Sequence, residues 1–213
     1  MHRTIKAATL FALATFTVPG VARLPPEENP RLSVFVFNDA QVSAGILSRA
    51  ELRAAIIFER AGLQLTWVNR AHESDAHPSS LSALGATNHL VLRIVPHGAR
   101  SARAEFGVAF LGRDGTGRYG DVFWGNIEEL HRNCQIDAAG ILGSVMAHEI
   151  GHLLLGAHGH AISGIMRGRW EDNELRQIAM GTLVFLPAQK KRMRTRMAKS
   201  GALLLSRTEL PGQ

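Results

Sequence analysis

Cysteine is almost absent: Cys134 stands alone among 213 residues, so no internal disulfide can brace the fold, and stability has to come from a packed core. No repeat is visible. Beyond the N-terminus no apolar run approaches the roughly 20 residues of a membrane-spanning helix, so stable membrane insertion is not expected. Aromatic residues are missing from the one strongly basic stretch, Lys190, Lys191, Arg192, Arg194, Arg196 and Lys199. That argues against a nucleic-acid surface. The stretch reads as a solvated helix face, with contact to an anionic envelope surface or an acidic substrate as the alternative.

What is present is ordinary globular composition, 46% hydrophobic and 20% charged, enough for one domain with a real core. At the N-terminus His2, Arg3 and Lys6 precede an apolar run from Ala7 to Val18 and the small residues of Gly20-Val21-Ala22. This is the pattern of a cleaved export signal over residues 1–22, so the mature chain is expected to be secreted or periplasmic. Residues 23–30, with Pro25, Pro26 and Pro30, read as an extended linker, and a domain starting near Arg31 leaves no room for an N-terminal pro-domain. The formal charge is +6; without Arg3 and Lys6 the balance is 22 basic against 18 acidic residues, or +4.

Hydrophobic periodicity orders the chain. Leu32 to Phe37 predicts a buried strand. Ser48 to Glu51 forms a capping box flanked by Leu47 and Leu52, so a helix is expected from Arg49 to Gly62. Leu63 to Val68 predicts a second strand, parallel to the first across that helix. Residues 69–88 are polar and breaker-rich; His72, Glu73, Asp75 and His77 could bind an ion there, but an ordinary loop is the simpler reading. His89 to Val95 predicts a third strand, Gly107 to Gly112 a short fourth and Asp121 to Trp124 a fifth, with a helical turn over Asn126 to Leu130.

The most informative stretch runs from Met146 to Met166, MAHEIGHLLLGAHGHAISGIM. Asp137 is placed to cap a helix through it, and Gly156 to end it. On that helix His148 and His152 lie on one face, about 6 Å apart, where both imidazoles can reach one metal ion. Glu149 sits about 100° round the helix, able to touch a water on the ion without ligating it. Two imidazoles, a third ligand and one open position are what a catalytic zinc needs to activate water at neutral pH. A core helix with incidental histidines is the bland alternative. Cys134, just upstream, reads as a small buried residue, with an inhibitory metal ligand as the alternative.

These residues resemble the signature of the metzincin zinc endopeptidases, H-E-x-x-H-x-x-G-x-x-H followed by a Met-containing turn. Here HEIGHLLLGAH is followed by Gly164-Ile165-Met166, with Gly156 one position later than in the family. The resemblance implies an α+β fold: a twisted, mostly parallel sheet with one antiparallel edge strand, a long crossover helix, an active-site helix and a small C-terminal subdomain with one helix beginning at Pro187. It implies Zn2+ as cofactor, Glu149 as general base and Met166 as apolar support beneath the metal. It also implies that the edge strand, Gly107, Val108, Ala109, Phe110 and Leu111, holds an extended peptide substrate by strand addition. The same segment followed by GD-x-F is similar to matrixins, but of their calcium and structural-zinc ligands only Asp121 matches.

The third ligand is a question of register. His158 has the family's six-residue step from His152, but it follows the turn at Gly156 by only two residues. His160 follows by four, with slack to return under the helix end, and it fits a resemblance to uncharacterised exported bacterial proteins that read HEIGHLLLG, then His, then GIM. His160 is therefore expected, with His158 as the alternative. A gluzincin-like site using Glu171 or Glu174, and a catalytically idle metal-binding or envelope-interaction domain, are the rival readings. Retention of Glu149 argues against the idle domain. The expected organisation is one catalytic domain over residues 31–199, split into 31–156 and 157–199, with a tail over 200–213. It is expected to act as a monomer on peptides or proteins.

Overall fold

The computed structural model describes residues 29–70, 89–98 and 105–208, with side chains as far as residue 200. The expected signal segment, and the stretch with His72, Glu73, Asp75 and His77, lie outside the described residues. In chain order the elements are β1 (Arg31–Asn38), α1 (Ala44–Glu59), β2 (Gln64–Arg70), β3 (His89–Val95), β4 (Gly107–Phe110) and β5 (Tyr119–Phe123). Four helices follow: α2 (Trp124–Cys134), α3 (Ala138–Leu155), α4 (Asp172–Met180) and α5 (Pro187–Thr208).

The strands form one sheet in the order β2-β1-β3-β5-β4. β1 pairs in parallel with β2 and β3, and β3 with β5; β4 alone is antiparallel, at the edge beside β5. This is the mostly parallel α+β architecture expected from the sequence. Parallel pairing needs long crossovers, and α1 supplies the first. β1 is buried on both faces, with Leu32, Val34 and Val36 in the main core and Phe35 and Phe37 on the other side, which is why its sequence is a continuous apolar run.

α1 packs against α3, and both contribute to one core cluster with the inner face of the sheet. Each fully buried Leu, Ile or Phe in it contributes about 1.5–3 kcal/mol. α3 is apolar enough to cross a membrane, with a mean hydropathy of 1.3, but 89% of it is buried inside the fold. Its apolar surface is used by the core.

Several boundaries differ from expectation, each for a local reason. α1 begins at Ala44, not Arg49, because Asn38 closes the preceding turn through bonds to both the carbonyl (2.7 Å) and the N–H (2.9 Å) of Val42. Ser48 is thus interior to the helix, Glu51 points inward and is buried, and Leu52 is 62% exposed, so no capping box or staple forms there. α2 is an 11-residue helix where a single turn was expected, anchored by buried Ile127 and ended by Gln135 in the left-handed region. Cys134, at its end, is exposed rather than buried. The C-terminal part has two helices, not one. α4 arises in the polar run because Glu171 and Glu174 form a reciprocal capping box and Ile178 supplies a buried anchor. α5 starts at Pro187 as expected but continues to Thr208, through the expected boundary at 199.

Candidate metal centre and cleft

α3 is started by Asp137, whose carboxylate accepts from the N–H of Gly140 at 3.2 Å. It is stopped by Gly156, whose φ of +83° no β-carbon-bearing residue adopts readily. From there the chain folds back beneath the helix end. The return brings Nε2 of His160 to 3.0 Å from Nε2 of His152, which lies 3.0 Å from Nε2 of His148. The three ligand atoms all fall within 4.8 Å of one another.

The protons on these rings are set by two backbone carbonyls. Nδ1 of His148 lies 2.6 Å from the carbonyl of Ile165, and His152 bonds to the carbonyl of Gly156. A carbonyl only accepts, so each ring carries its proton on Nδ1 and presents a bare lone pair at Nε2. Burial above all, and then repulsion from a neighbouring imidazolium, hold His148 down to about 3 and His152 to about 4. Both rings are therefore neutral at pH 7, with lone pairs facing each other at 3.0 Å and no hydrogen between them. That arrangement repels unless an electrophile sits in the gap. Imidazole nitrogens on one tetrahedral zinc stand about 3.3 Å apart, near the 3.0 Å of the His148–His152 and His152–His160 pairs, so the three histidines are a donor set suited to such an ion.

Glu149 is buried, packs against the edge strand and lines the same cleft as the three imidazoles. A β-carbon on Gly107 would come within 2.7 Å of its Oε1. Burial, and secondarily the neighbouring Glu105, push its carboxyl up to about 8. A divalent cation at the imidazoles would pull it back down.

Met166 is fully buried in a tight turn closed by the N–H of Arg167 donating to the Gly164 carbonyl at 3.0 Å. Its sulfur packs against α3 at Gly151, where a β-carbon would be only 2.5 Å away, and its methyl lies near Gly159. The same turn positions the Ile165 carbonyl, which accepts from His148 and, at 3.1 Å, from Nε1 of Trp170.

The imidazoles and Glu149 lie in a cleft of about 670 Å³. Gly107, Val108, Ala109 and Leu111 line one side and Arg167 to Trp170 the other. Phe110 points away from the cleft, 49% exposed, with its ring 5.2 Å from Tyr119, and Leu111 lies one residue past the end of β4. At one end Phe106 stacks on Trp170 with ring centroids 6.0 Å apart, and Trp170 also meets His148 edge-on.

His158 is not brought to the cluster; it lines a neighbouring cleft instead. Glu171 and Glu174 are also elsewhere, clamping Arg167 at 2.6 Å and 3.4 Å. The two carbonyls that orient the imidazoles, and the wall residues Phe106 and Trp170, were not anticipated from sequence. A tryptophan four residues past Met166 in an otherwise polar run was the available signal for the wall. Nothing in the side-chain pattern marks a carbonyl.

No family model and no curated protein matches the sequence. Among solved structures, the chain is similar to metalloproteinase-II from Bacteroides fragilis at 13% identity and a TM-score of 0.45, covering 81% of this chain but only 55% of that one. It is also similar to archaemetzincin from Methanopyrus kandleri at 14% identity and a TM-score of 0.50, covering 82% of this chain and 99% of that one. At such identity the likeness is one of fold: a mixed α+β architecture with a mostly parallel five-stranded sheet, similar to that of archaemetzincin.

Proposed function

We propose that the chain is an exported zinc-dependent endopeptidase, with His148, His152 and His160 as metal ligands and Glu149 as general base. The observation that carries this reading is the pair of lone pairs held face to face at Nε2 of His148 and His152, 3.0 Å apart, beside a buried carboxylate in an open cleft. A purely structural site gains nothing from Glu149 there.

Held there by His148, His152 and His160, zinc would supply Lewis acidity toward a scissile carbonyl and a water. Glu149 takes the proton from the attacking water and delivers it to the leaving amide nitrogen as the C–N bond breaks. The free edge of β4 pairs with an extended backbone, which requires no free terminus and so suits cleavage within a chain. Phe106 and Trp170 wall one end of the cleft with apolar surface. Met166 supports the imidazoles from below with an apolar surface. Export through a signal over residues 1–22 and monomeric action belong to the same proposal.

The test is metal analysis of the purified chain together with digestion of an unstructured protein, with and without chelator. One equivalent of zinc and chelator-sensitive cleavage are expected. Glu149→Ala should keep the zinc and lose cleavage by at least about 100-fold, as befits a proton-handling group. Loss of zinc in that variant would mean that Glu149 has been given the wrong role.

A further inference from the structure

A second cleft, of about 420 Å³, adjoins the first where both are lined by Ala157. Arg113, Arg192, Arg196 and His158 line it, and among the described residues at its walls Asp114 is the one acid. Arg192 and Arg196 lie on α5 and reach across to the end of α3, donating to the carbonyls of Leu155 at 2.9 Å and Leu154 at 3.1 Å. These bonds give both residues a structural role, satisfying carbonyls that a helix end leaves unpaired. They do not use up the charge. Three guanidinium groups face one carboxylate and a helix end worth about half a negative charge, which leaves more than one positive charge uncompensated. Each anchored guanidinium also keeps further N–H donors in a fixed fork suited to a carboxylate.

We propose that this cleft is an anion subsite that binds an acidic side chain of the peptide substrate, on the N-terminal side of the bond to be cut. The inference rests on the peptidase reading above. Its direction comes from the edge strand. β4 runs from Gly107, beside Glu149, toward Leu111, and Arg113 follows two residues later. A peptide added antiparallel to β4, the more stable pairing, places its N-terminal residues at the Arg113 end. Leu111 lies four residues and Arg113 six residues beyond Gly107, so strand pairing at about 3.3 Å per residue puts the acidic side chain about four to six residues before the scissile bond.

The experiment has two arms. In the first, the full chain carrying Glu149→Gln is titrated with a fluorescent alanine-rich peptide bearing two glutamates, and with the same peptide bearing two lysines. The glutamate peptide should bind at least 10-fold more tightly, and the ratio should fall toward one in Arg113→Glu. Arg113 is chosen because, among the described residues, it makes no ion pair or helix-capping bond, so its loss leaves α3 intact. In the second arm the unaltered chain digests a random peptide mixture, and the cut sites are aligned by mass spectrometry. Acidic residues should be enriched about four to six positions before the cut. Selective binding with no cleavage of any peptide keeps the anion subsite and overturns the peptidase reading. Equal binding of the two peptides, or a preference that survives Arg113→Glu, overturns the subsite whatever the digest shows. Enrichment only after the cut overturns the direction assigned to the substrate.

Discussion

The carboxylate of Glu149 occupies the space where a side chain at Gly107 would be: a β-carbon there would stand 2.7 Å from Oε1 and 2.8 Å from Cγ. The edge strand therefore holds the proposed general base from the side opposite its own helix. Gly107→Ala should displace the Glu149 carboxylate by about 1 Å, because the alternative neighbour, the Asp121 carbonyl, is backbone and cannot give way. A misplacement of that size costs on the order of 100-fold in rate. Zinc content should stay at one equivalent, since no ligand moves. Unimpaired kcat/KM in this variant would show that the contact is not used.

The third ligand can be read from metal stoichiometry. His160→Ala should lose zinc, because its Nε2 is 3.0 Å from that of His152. His158→Ala should keep it. The reverse pattern would place His158 on the metal and require the return after Gly156 to run differently.

Met166→Leu should be tolerated, with a cost below about 1.5 kcal/mol, because the residue contributes buried apolar volume and Leu nearly conserves it. Thermal unfolding with zinc bound is the measurement. Complete loss of activity at full zinc occupancy would assign the sulfur a chemical role that packing does not predict.

Glu51 offers a pH-dependent test away from the cleft. Its carboxyl is pushed up from the ordinary 4.5 by burial, partly offset by a hydrogen bond with Asn69, and Oε1 has no partner among the described residues. Because the folded-state pKa lies above the unfolded one, ionisation costs the folded chain stability. The cost is absent below pH 4.5 and grows as pH rises through the folded pKa. Glu51→Gln should therefore stabilise the protein by about 1 kcal/mol at neutral pH, or roughly 2–4 °C in Tm. The gain should vanish near pH 4. A gain that is independent of pH would mean that charge burial is not its source.

What the sequence determined alone is what short-range geometry decides. The four-residue step on a helix puts His148 and His152 on one face with Glu149 beside them. Asp137 and Gly156 bound that helix, and apolar runs locate the five strands. Boundaries failed where a local signal was overruled by packing: Ser48 to Glu51 has the spacing of a cap, yet Glu51 is drawn into the core and Asn38 starts the helix earlier. The converse happened at α4, where a polar run became a helix because Ile178 found a buried site. Only tertiary structure decided which histidine returns to the pair. That choice depends on the path taken after Gly156 and on what the chain packs against. The ring tautomers were likewise undetermined by sequence, since the carbonyls of Ile165 and Gly156 that set them are common to every residue type. So was the contact of Glu149 with Gly107, 42 positions apart in the chain, because only the docking of β4 beside α3 brings a missing side chain and a buried carboxylate into the same space.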